Sequence, residues 1–297
     1  MKYVITGSLG NISRPLATGL VKAGHAVSVI THREANRGEI EAIGAKALVG
    51  SVEDAAFIRS AFADADAVYL MIPPNFAVTD WFAYQRAVAD NYIAALRNSA
   101  VGHIVLLSSI GAHLRKGAGP IDGLGYLEEQ LQALQDKAVR VLRPSYFYHN
   151  LLAQIGLVKN AGIMGANFGS TDEKLVLVHP ADIAAAALEE LQELKFEGYS
   201  IRYVSSDERH PQEIAAVLGS VIGKPGLPWI TFTDEQSLEG MKGAGLSDPI
   251  AEGYTTMGAA IRNGNVQEDY WKSNKVISGT LKLEDFAREF AAAYLAN

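Results

Sequence analysis

The chain has 297 residues, 48% hydrophobic and 20% charged, with 26 Lys and Arg against 33 Asp and Glu and a formal net charge of -7. That length buries one large core or two unequal ones, and the composition is that of an ordinary globular protein. The absence of cysteine excludes disulfides, a thiolate nucleophile and a zinc–thiolate site, and no metal-ligand pattern replaces it; the acidic balance without a Lys/Arg cluster argues against direct nucleic-acid binding.

No apolar run approaches the roughly 18 residues of a membrane span. Met1-Lys2 leads straight into Tyr3-Val4-Ile5-Thr6-Gly7, a strand and turn rather than the apolar stretch of a signal peptide. The expectation is a cytoplasmic protein with no membrane partner.

In chain order, short apolar β-rich runs fall at residues 3–6, 26–31, 67–72, 103–107 and 139–142. Between them, apolar residues recur at helical spacing over 12–23, 53–62, 80–98 and 123–134. Strand–helix alternation predicts parallel βαβ units with helices on both faces. The fold class is therefore α/β, a doubly wound parallel sheet of the Rossmann type with its ligand at the carboxyl ends of the strands. Residues 1–150 are expected to form this dinucleotide-binding domain.

After Pro144 the pattern loosens, punctuated by Gly156, Gly162, Gly165 and Gly169. A strand over 175–178, a helix over 181–194 and a strand over 199–204 suggest strand–helix returns to the first domain within about 175–207. Helical patterns at 212–222, 234–244, 249–261 and 283–295 fill out a smaller, mixed C-terminal lobe. This substrate-binding lobe, residues 151–297, is expected to be intertwined with the first domain.

The first turn reads Thr6-Gly7-Ser8-Leu9-Gly10-Asn11-Ile12-Ser13 between a strand and a helix, the context a dinucleotide fingerprint requires. Gly7 permits the tight turn, and Gly10 lets backbone approach a pyrophosphate with no Cβ in the way. The free N–H groups and positive end of the next helix attract phosphate. Ser13 stands where a third glycine would pack the helix on the strand. The plain alternative is an ordinary βα turn.

An NAD site usually places an acid on the ribose 2′-hydroxyl at the end of the second strand. Here that strand ends Ile30-Thr31-His32-Arg33. A guanidinium suits a 2′-phosphate, so Arg33 points to NADP(H), unless it is a solvated surface arginine. The adjacent Glu34 keeps NAD(H) open.

With these residues in hand, the chain resembles the NmrA-like atypical short-chain dehydrogenases along nearly its whole length. The likeness rests on Thr6-Gly7-x-x-Gly10-Asn11, Gly50-Ser51-Val52-Glu53-Asp54 and Ile104-Val105-Leu106-Leu107-Ser108-Ser109-Ile110-Gly111. It continues through Leu142-Arg143-Pro144-Ser145-Tyr146-Phe147-Tyr148-His149-Asn150 and Val178-His179-Pro180-Ala181-Asp182-Ile183-Ala184.

The resemblance implies that Ser51 and Val52 sit beside the adenine, although many relatives carry Asp where Ser51 stands. It implies that Ile72 and Pro73 run along the cofactor and that Ser108 and Ser109 end near the nicotinamide. It also implies that Pro144, Tyr146 and Phe147 flank the nicotinamide on the substrate side. Asn75, Phe76 and Asn150 are further candidate substrate contacts. Bland readings stand beside these: Pro73-Pro74 as a strand terminator, and the aromatics as core between lobes.

Typical short-chain dehydrogenases use a Tyr with a Lys four residues on. Here Tyr126 is followed by Gln130, and Gly125 stands where many NmrA-like enzymes place Lys or His. A tyrosine without a neighbouring cation keeps a pKa near 10 and is a poor acid–base group at neutral pH. Tyr126 and His179 remain the candidate catalytic residues, with His113 and His149 as other histidines; His179 also precedes Pro180, where it would shape a turn.

Two function classes follow. One is a reductase passing hydride from NADPH to a quinone or other conjugated carbonyl. The other is a non-catalytic NADP(H) sensor that regulates a partner protein. A sugar epimerase or dehydratase is a third class, weakened because it also needs an acid–base tyrosine. A homodimer is compatible with each.

Overall fold

The computed structural model describes residues 1–169, 174–273 and 276–296. From the N-terminus run β1 (Lys2–Ile5), α1 (Ser13–Lys22), β2 (Ala26–Thr31), α2 (Arg37–Ala42), β3 (Lys46–Val49), α3 (Ala55–Phe62), β4 (Ala67–Leu70) and α4 (Trp81–Arg97). Then come β5 (His103–Leu107), α5 (Asp122–Gln132) and β6 (Ala138–Pro144). The second part contains β7 (Tyr146–Phe147), α6 (Ile155–Ala161), β8 (Met164–Ala166), β9 (Leu175–Val178), α7 (Pro180–Glu193) and β10 (Tyr199–Val204). It ends with β11 (Asp207–Arg209), α8 (Pro211–Val221), β12 (Trp229–Thr231), α9 (Asp234–Gly243), α10 (Asp248–Arg262), α11 (Glu268–Lys272) and α12 (Leu283–Ala296).

Seven strands form one parallel sheet in the order β10-β6-β5-β4-β1-β2-β3. The chain reverses direction between β1 and β4, the switch point where doubly wound sheets open a crevice. The central strands are mostly apolar because helices cover both faces: all four residues of β4 are buried. One face is filled by Leu16 and Leu20 of α1, Ile40 of α2 and Ile183 and Leu191 of α7. The other is filled by Ile58 and Phe62 of α3, Val88 and Tyr92 of α4 and Leu127 and Leu131 of α5.

Side chains fix several helix starts. Asp54 accepts from Ala56 and Phe57 N–H at the head of α3, and Asp80 accepts from Ala83 N–H at the head of α4.

The sequence pattern predicts no element between β2 and α3, yet α2 and β3 occupy that stretch. The reason is exposure. β3 is a sheet edge with only Ala47 fully buried, and α2 buries only Ile40, so neither carries a period.

The smaller part has its own core of Tyr148, Leu151, Met164, Trp229, Phe286 and Phe290. Its sheets are β11-β9-β7, with β9 antiparallel to β11 and parallel to β7, and β12-β8. Thus β9, whose pattern resembles a return to the large sheet, pairs in the small one. α7 and β10 make the return: α7 packs on α1, and β10 extends the large sheet beside β6. Among the described residues no helix is long and apolar enough to cross a membrane.

Candidate functional site

The candidate cofactor residues fall in a line along the carboxyl edge of the large sheet. Ser51 and Val52 follow β3, Arg33 follows β2, the 7–12 turn follows β1, Ile72 and Pro73 follow β4, and Ser108 and Ser109 follow β5. Pro144 ends β6.

The turn after β1 is held from below. Gly7 has φ +90°, and a Cβ there would meet Met71 Sδ at 2.8 Å, so a side chain is excluded twice. Ser13 is buried and its hydroxyl donates to Thr6 O at 3.1 Å, filling the third glycine's place with a bond instead of a void. Ser8 N–H donates to Ile30 O at 3.0 Å, and Ser8 Oγ donates to Thr31 Oγ1 at 3.1 Å. Asn36 Nδ2 bridges both hydroxyl oxygens, at 2.9 and 3.1 Å, so a residue of the unpredicted segment ties this turn to the end of β2.

The upper side of the turn is open. Among the described residues, the N–H groups of Leu9, Gly10, Asn11 and Ile12 meet no acceptor. A Cβ on Gly10 would touch only Gly7 O, at an ordinary 3.6 Å. A ring of unpaired donors at the head of α1 fits a pyrophosphate.

The end of β2 separates its charges. Glu34 is paired with Arg37, at 2.5 and 3.1 Å, and that hydrogen bond holds its carboxyl below the usual carboxylate range. Arg33 is exposed, donates through Nε to His32 Nε2 at 3.2 Å, and forms no ion pair among the described residues. The acid is engaged, and the guanidinium has no acidic partner among the described residues.

The turn after β3 is clipped at both sides. Gly50 N–H donates to Thr31 O at 2.9 Å, while Asn91 Nδ2 of α4 donates to Val52 O and Glu53 O at 3.1 and 3.0 Å. After β4, Tyr92 donates to Met71 O and Tyr84 to Pro73 O, each at 2.9 Å.

Beyond β5 and β6 lies a cavity of about 190 Å³. Its polar lining is Ser109, Ser145, Tyr146, Asn150 and Gln267, and its apolar walls come from Ile110, Ile121, Phe147, Leu175, Val176, Met257, Ile261 and Val266. Among the described residues no carboxylate, amine, guanidinium or imidazole lines it. Most polar groups are already occupied: Ser109 Oγ donates to Ile110 O at 2.8 Å, Ser145 Oγ donates to Val204 O at 3.3 Å, and Gln267 ties Val176 N–H to Lys174 O. The Tyr146 hydroxyl and the Asn150 amide have no hydrogen-bond partner among the described residues. Burial, with Tyr254 nearby, pushes the Tyr146 pKa up, so its hydroxyl stays protonated.

The remaining candidates lie elsewhere. Asn75 caps its own turn by accepting from Ala77 N–H, and Phe76 is exposed with its ring edge-on to Trp81 at 5.8 Å; neither lines the cavity. Tyr126 faces α4, where it donates to Asp90 Oδ1 at 2.7 Å beneath Arg86, and it is absent from the cavity lining. That bond raises its pKa. His179 caps α7, its Nδ1 accepting from Ala181 N–H, and it also meets Glu289. Ser108 is turned inward, donating to Glu128 Oε1 at 2.5 Å, away from the cavity that Ser109 lines.

Glu128 belongs to a network that sequence reasoning missed. Arg143 on β6 binds it through Nε at 3.0 Å and Nη2 at 2.5 Å, both side chains 5% exposed, and reaches Asp269 at 2.6 Å. Burial alone would lower the arginine pKa, but Glu128 raises it more, and Arg143 stays charged. The signal was available: an arginine inside an apolar buried strand requires a buried acid.

Residues 7–194 match the NAD(P)H-binding family, and the chain belongs to it. No curated protein matches the chain. Among solved structures it is similar to the NADPH-dependent quinone oxidoreductase of Escherichia coli complexed with NADPH, at 21% identity and TM-score 0.82, covering 99% of this chain and 100% of that one. It is similar to the triphenylmethane reductase of Citrobacter sp. at 18% identity and TM-score 0.77, over 98% of this chain and 100% of the other. A nucleoside-diphosphate-sugar epimerase of Staphylococcus aureus superposes at 15% identity and TM-score 0.76, over 97% and 100%. These neighbours share the fold, and the NmrA-like resemblance is consistent with them.

Proposed function

We propose that this member of the NAD(P)H-binding family is an NADP(H)-dependent oxidoreductase that reduces a quinone or similar conjugated carbonyl in the cavity beyond β5 and β6. The observation that carries the proposal is the chemistry of that cavity. Its walls are mostly apolar, no charged side chain lines it among the described residues, and it keeps one unpartnered hydroxyl with a raised pKa. Such a site admits a flat neutral acceptor and offers it a hydrogen bond, not a ready proton.

The open N–H groups of residues 9–12 suit the pyrophosphate, and the exposed Arg33 suits a 2′-phosphate, which favours NADP(H) over NAD(H). Bound NADPH supplies the hydride. The Tyr146 hydroxyl and Asn150 amide are the groups that orient the acceptor carbonyl, while Phe147 and Ile110 exclude water. A quinone that takes a hydride becomes a hydroquinone anion, stable enough to collect its proton from solvent. An alkoxide from a plain ketone is too basic for that route. The Escherichia coli and Citrobacter neighbours, named as quinone oxidoreductase and triphenylmethane reductase, support this reading.

Steady-state NADPH oxidation against a panel of acceptors tests it. Turnover with small quinones, and almost none with plain ketones or secondary alcohols, is expected. The orientation of Tyr126 toward Asp90, outside the cavity, also favours a second reading, a sensor that binds NADP(H) and engages a partner without turnover. Tight NADPH binding with no activity toward any quinone would replace the first reading with the second.

A further inference from the structure

The phosphate loop is tied to the far end of the chain. Asn11 Nδ2 lies 3.0 Å from His149 Nδ1. His149 Nε2 lies 3.1 Å from Glu289 Oε2, and Glu289 Oε1 lies 2.9 Å from His179 Nε2. His179 Nδ1 accepts from Ala181 N–H at 3.1 Å.

These contacts fix the protons. Because Nδ1 of His179 accepts, its proton sits on Nε2 and is donated to Glu289. The Asn11 amide likewise donates to His149 Nδ1, leaving Nε2–H of His149 for the other carboxylate oxygen. One carboxylate thus accepts from both imidazoles, and every link runs from donor to acceptor.

Packing holds the rings in place. The His149 ring lies 5.5 Å from that of His179 and 5.8 Å from that of Phe286. Tyr148 stacks on Phe286 at 5.3 Å. Leu283, Phe286, Ala287 and Phe290 bury one face of α12, so Glu289 projects from an anchored helix.

The three side chains also present ligand atoms within 4.8 Å of one another, as a metal site would. A metal on His179 Nε2 would force the imidazole proton onto Nδ1, against the Ala181 N–H, and undo the cap of α7. The geometry suits the hydrogen-bonded chain better than an ion.

We propose that His149 and Glu289 are positioning residues for the cofactor: from the C-terminal helix they hold Asn11, and with it the donor-bearing turn of residues 9–12. The inference rests on the assignment of that turn to the cofactor. It makes α12, more than 200 residues away in sequence, a determinant of cofactor affinity.

Two readouts on the full chain test it: amide hydrogen exchange without cofactor at the loop's bonded N–H groups, Ser8 (to Ile30 O) and Arg14 (to Gly10 O), and NADPH affinity by calorimetry. His149→Leu removes both links, Glu289→Gln weakens one, and His149→Gln keeps an acceptor for Asn11 and a donor for Glu289. In His149→Leu, exchange of the loop is expected to rise about fivefold and NADPH affinity to fall about three- to tenfold, the worth of one net hydrogen bond. Glu289→Gln should fall between, and His149→Gln should stay within about twofold of wild type. Unchanged loop exchange in His149→Leu overturns the proposal. So does an equal loss in His149→Leu and His149→Gln, or a parallel loss of protection along residues 283–296, since either would mean general loosening of packing. A wild-type protein that binds no NADPH would refute the cofactor assignment itself, while loop exchange still decides whether the tie exists.

Discussion

Beyond β1 and β2 the sheet's carboxyl edge leaves charged and backbone donors open, whereas beyond β5 and β6 it pairs its charges and, among the described residues, spares only the neutral Tyr146 hydroxyl and Asn150 amide. On the first side, four backbone N–H groups and the Arg33 guanidinium lack acidic or carbonyl partners among the described residues. On the second, Ser108, Glu128, Arg143 and Asp269 satisfy one another beneath the strand ends, and among the described residues the cavity above carries no charged group. Anion binding needs donors pre-aimed and unspent, while a neutral acceptor needs charge kept out. One sheet edge meets both needs by distributing its polar groups unequally.

Substitutions sharpen that contrast. The largest effect is expected on the closed side. Arg143→Met leaves Glu128 buried without its partner and should destabilise the fold by about 3–5 kcal/mol, read from denaturant unfolding. A loss below about 1 kcal/mol would mean that the pair is not a support of these strand ends.

Next comes the open side, where two glycines should behave differently. Gly7→Ala forces φ +90° on a residue with a Cβ and crowds Met71, so roughly 1–3 kcal/mol of stability should be lost. Gly10→Ala meets only ordinary contact, so stability should stay within about 0.5 kcal/mol while NADPH affinity falls about tenfold, near 1.4 kcal/mol. Thermal unfolding and calorimetry together separate the two; equal behaviour would erase the distinction between a packed and an open glycine.

The smallest effect is predicted for Tyr126→Phe. The tyrosine hydroxyl is bonded to Asp90 outside the cavity, so the quinone rate should fall less than tenfold, under about 1.4 kcal/mol of transition-state stabilisation. A thousandfold loss would identify Tyr126 as the proton donor and break the assignment of the cavity.

What the sequence made legible follows the same division. The turn at residues 6–13 is local: its glycines, its small Ser13 and its flanking strand and helix are adjacent in the chain, so motif reading reaches it. The five central strands are legible because burial on both faces makes each of them a mostly apolar run. β3 and α2 are not, because each buries one residue. The cavity walls are not either: Leu175 of β9, Met257 and Ile261 of α10, and Val266 come from three segments and meet only through the small lobe's packing. Tyr146, Phe147 and Asn150 were reachable through family resemblance, but nothing in their spacing shows which of their groups stay unpartnered. The link from Asn11 to Glu289 spans the whole chain and has no sequence period at all.

The central claim is that the open edge of this sheet holds NADP(H) and that Arg33 distinguishes it from NAD(H). Calorimetric titration of both cofactors against wild-type protein and Arg33→Ala tests it most directly. The account predicts tighter NADPH binding in the wild type and loss of most of that difference, about 1.5–3 kcal/mol, in Arg33→Ala. Equal affinities for NADPH and NADH in the wild type would contradict it.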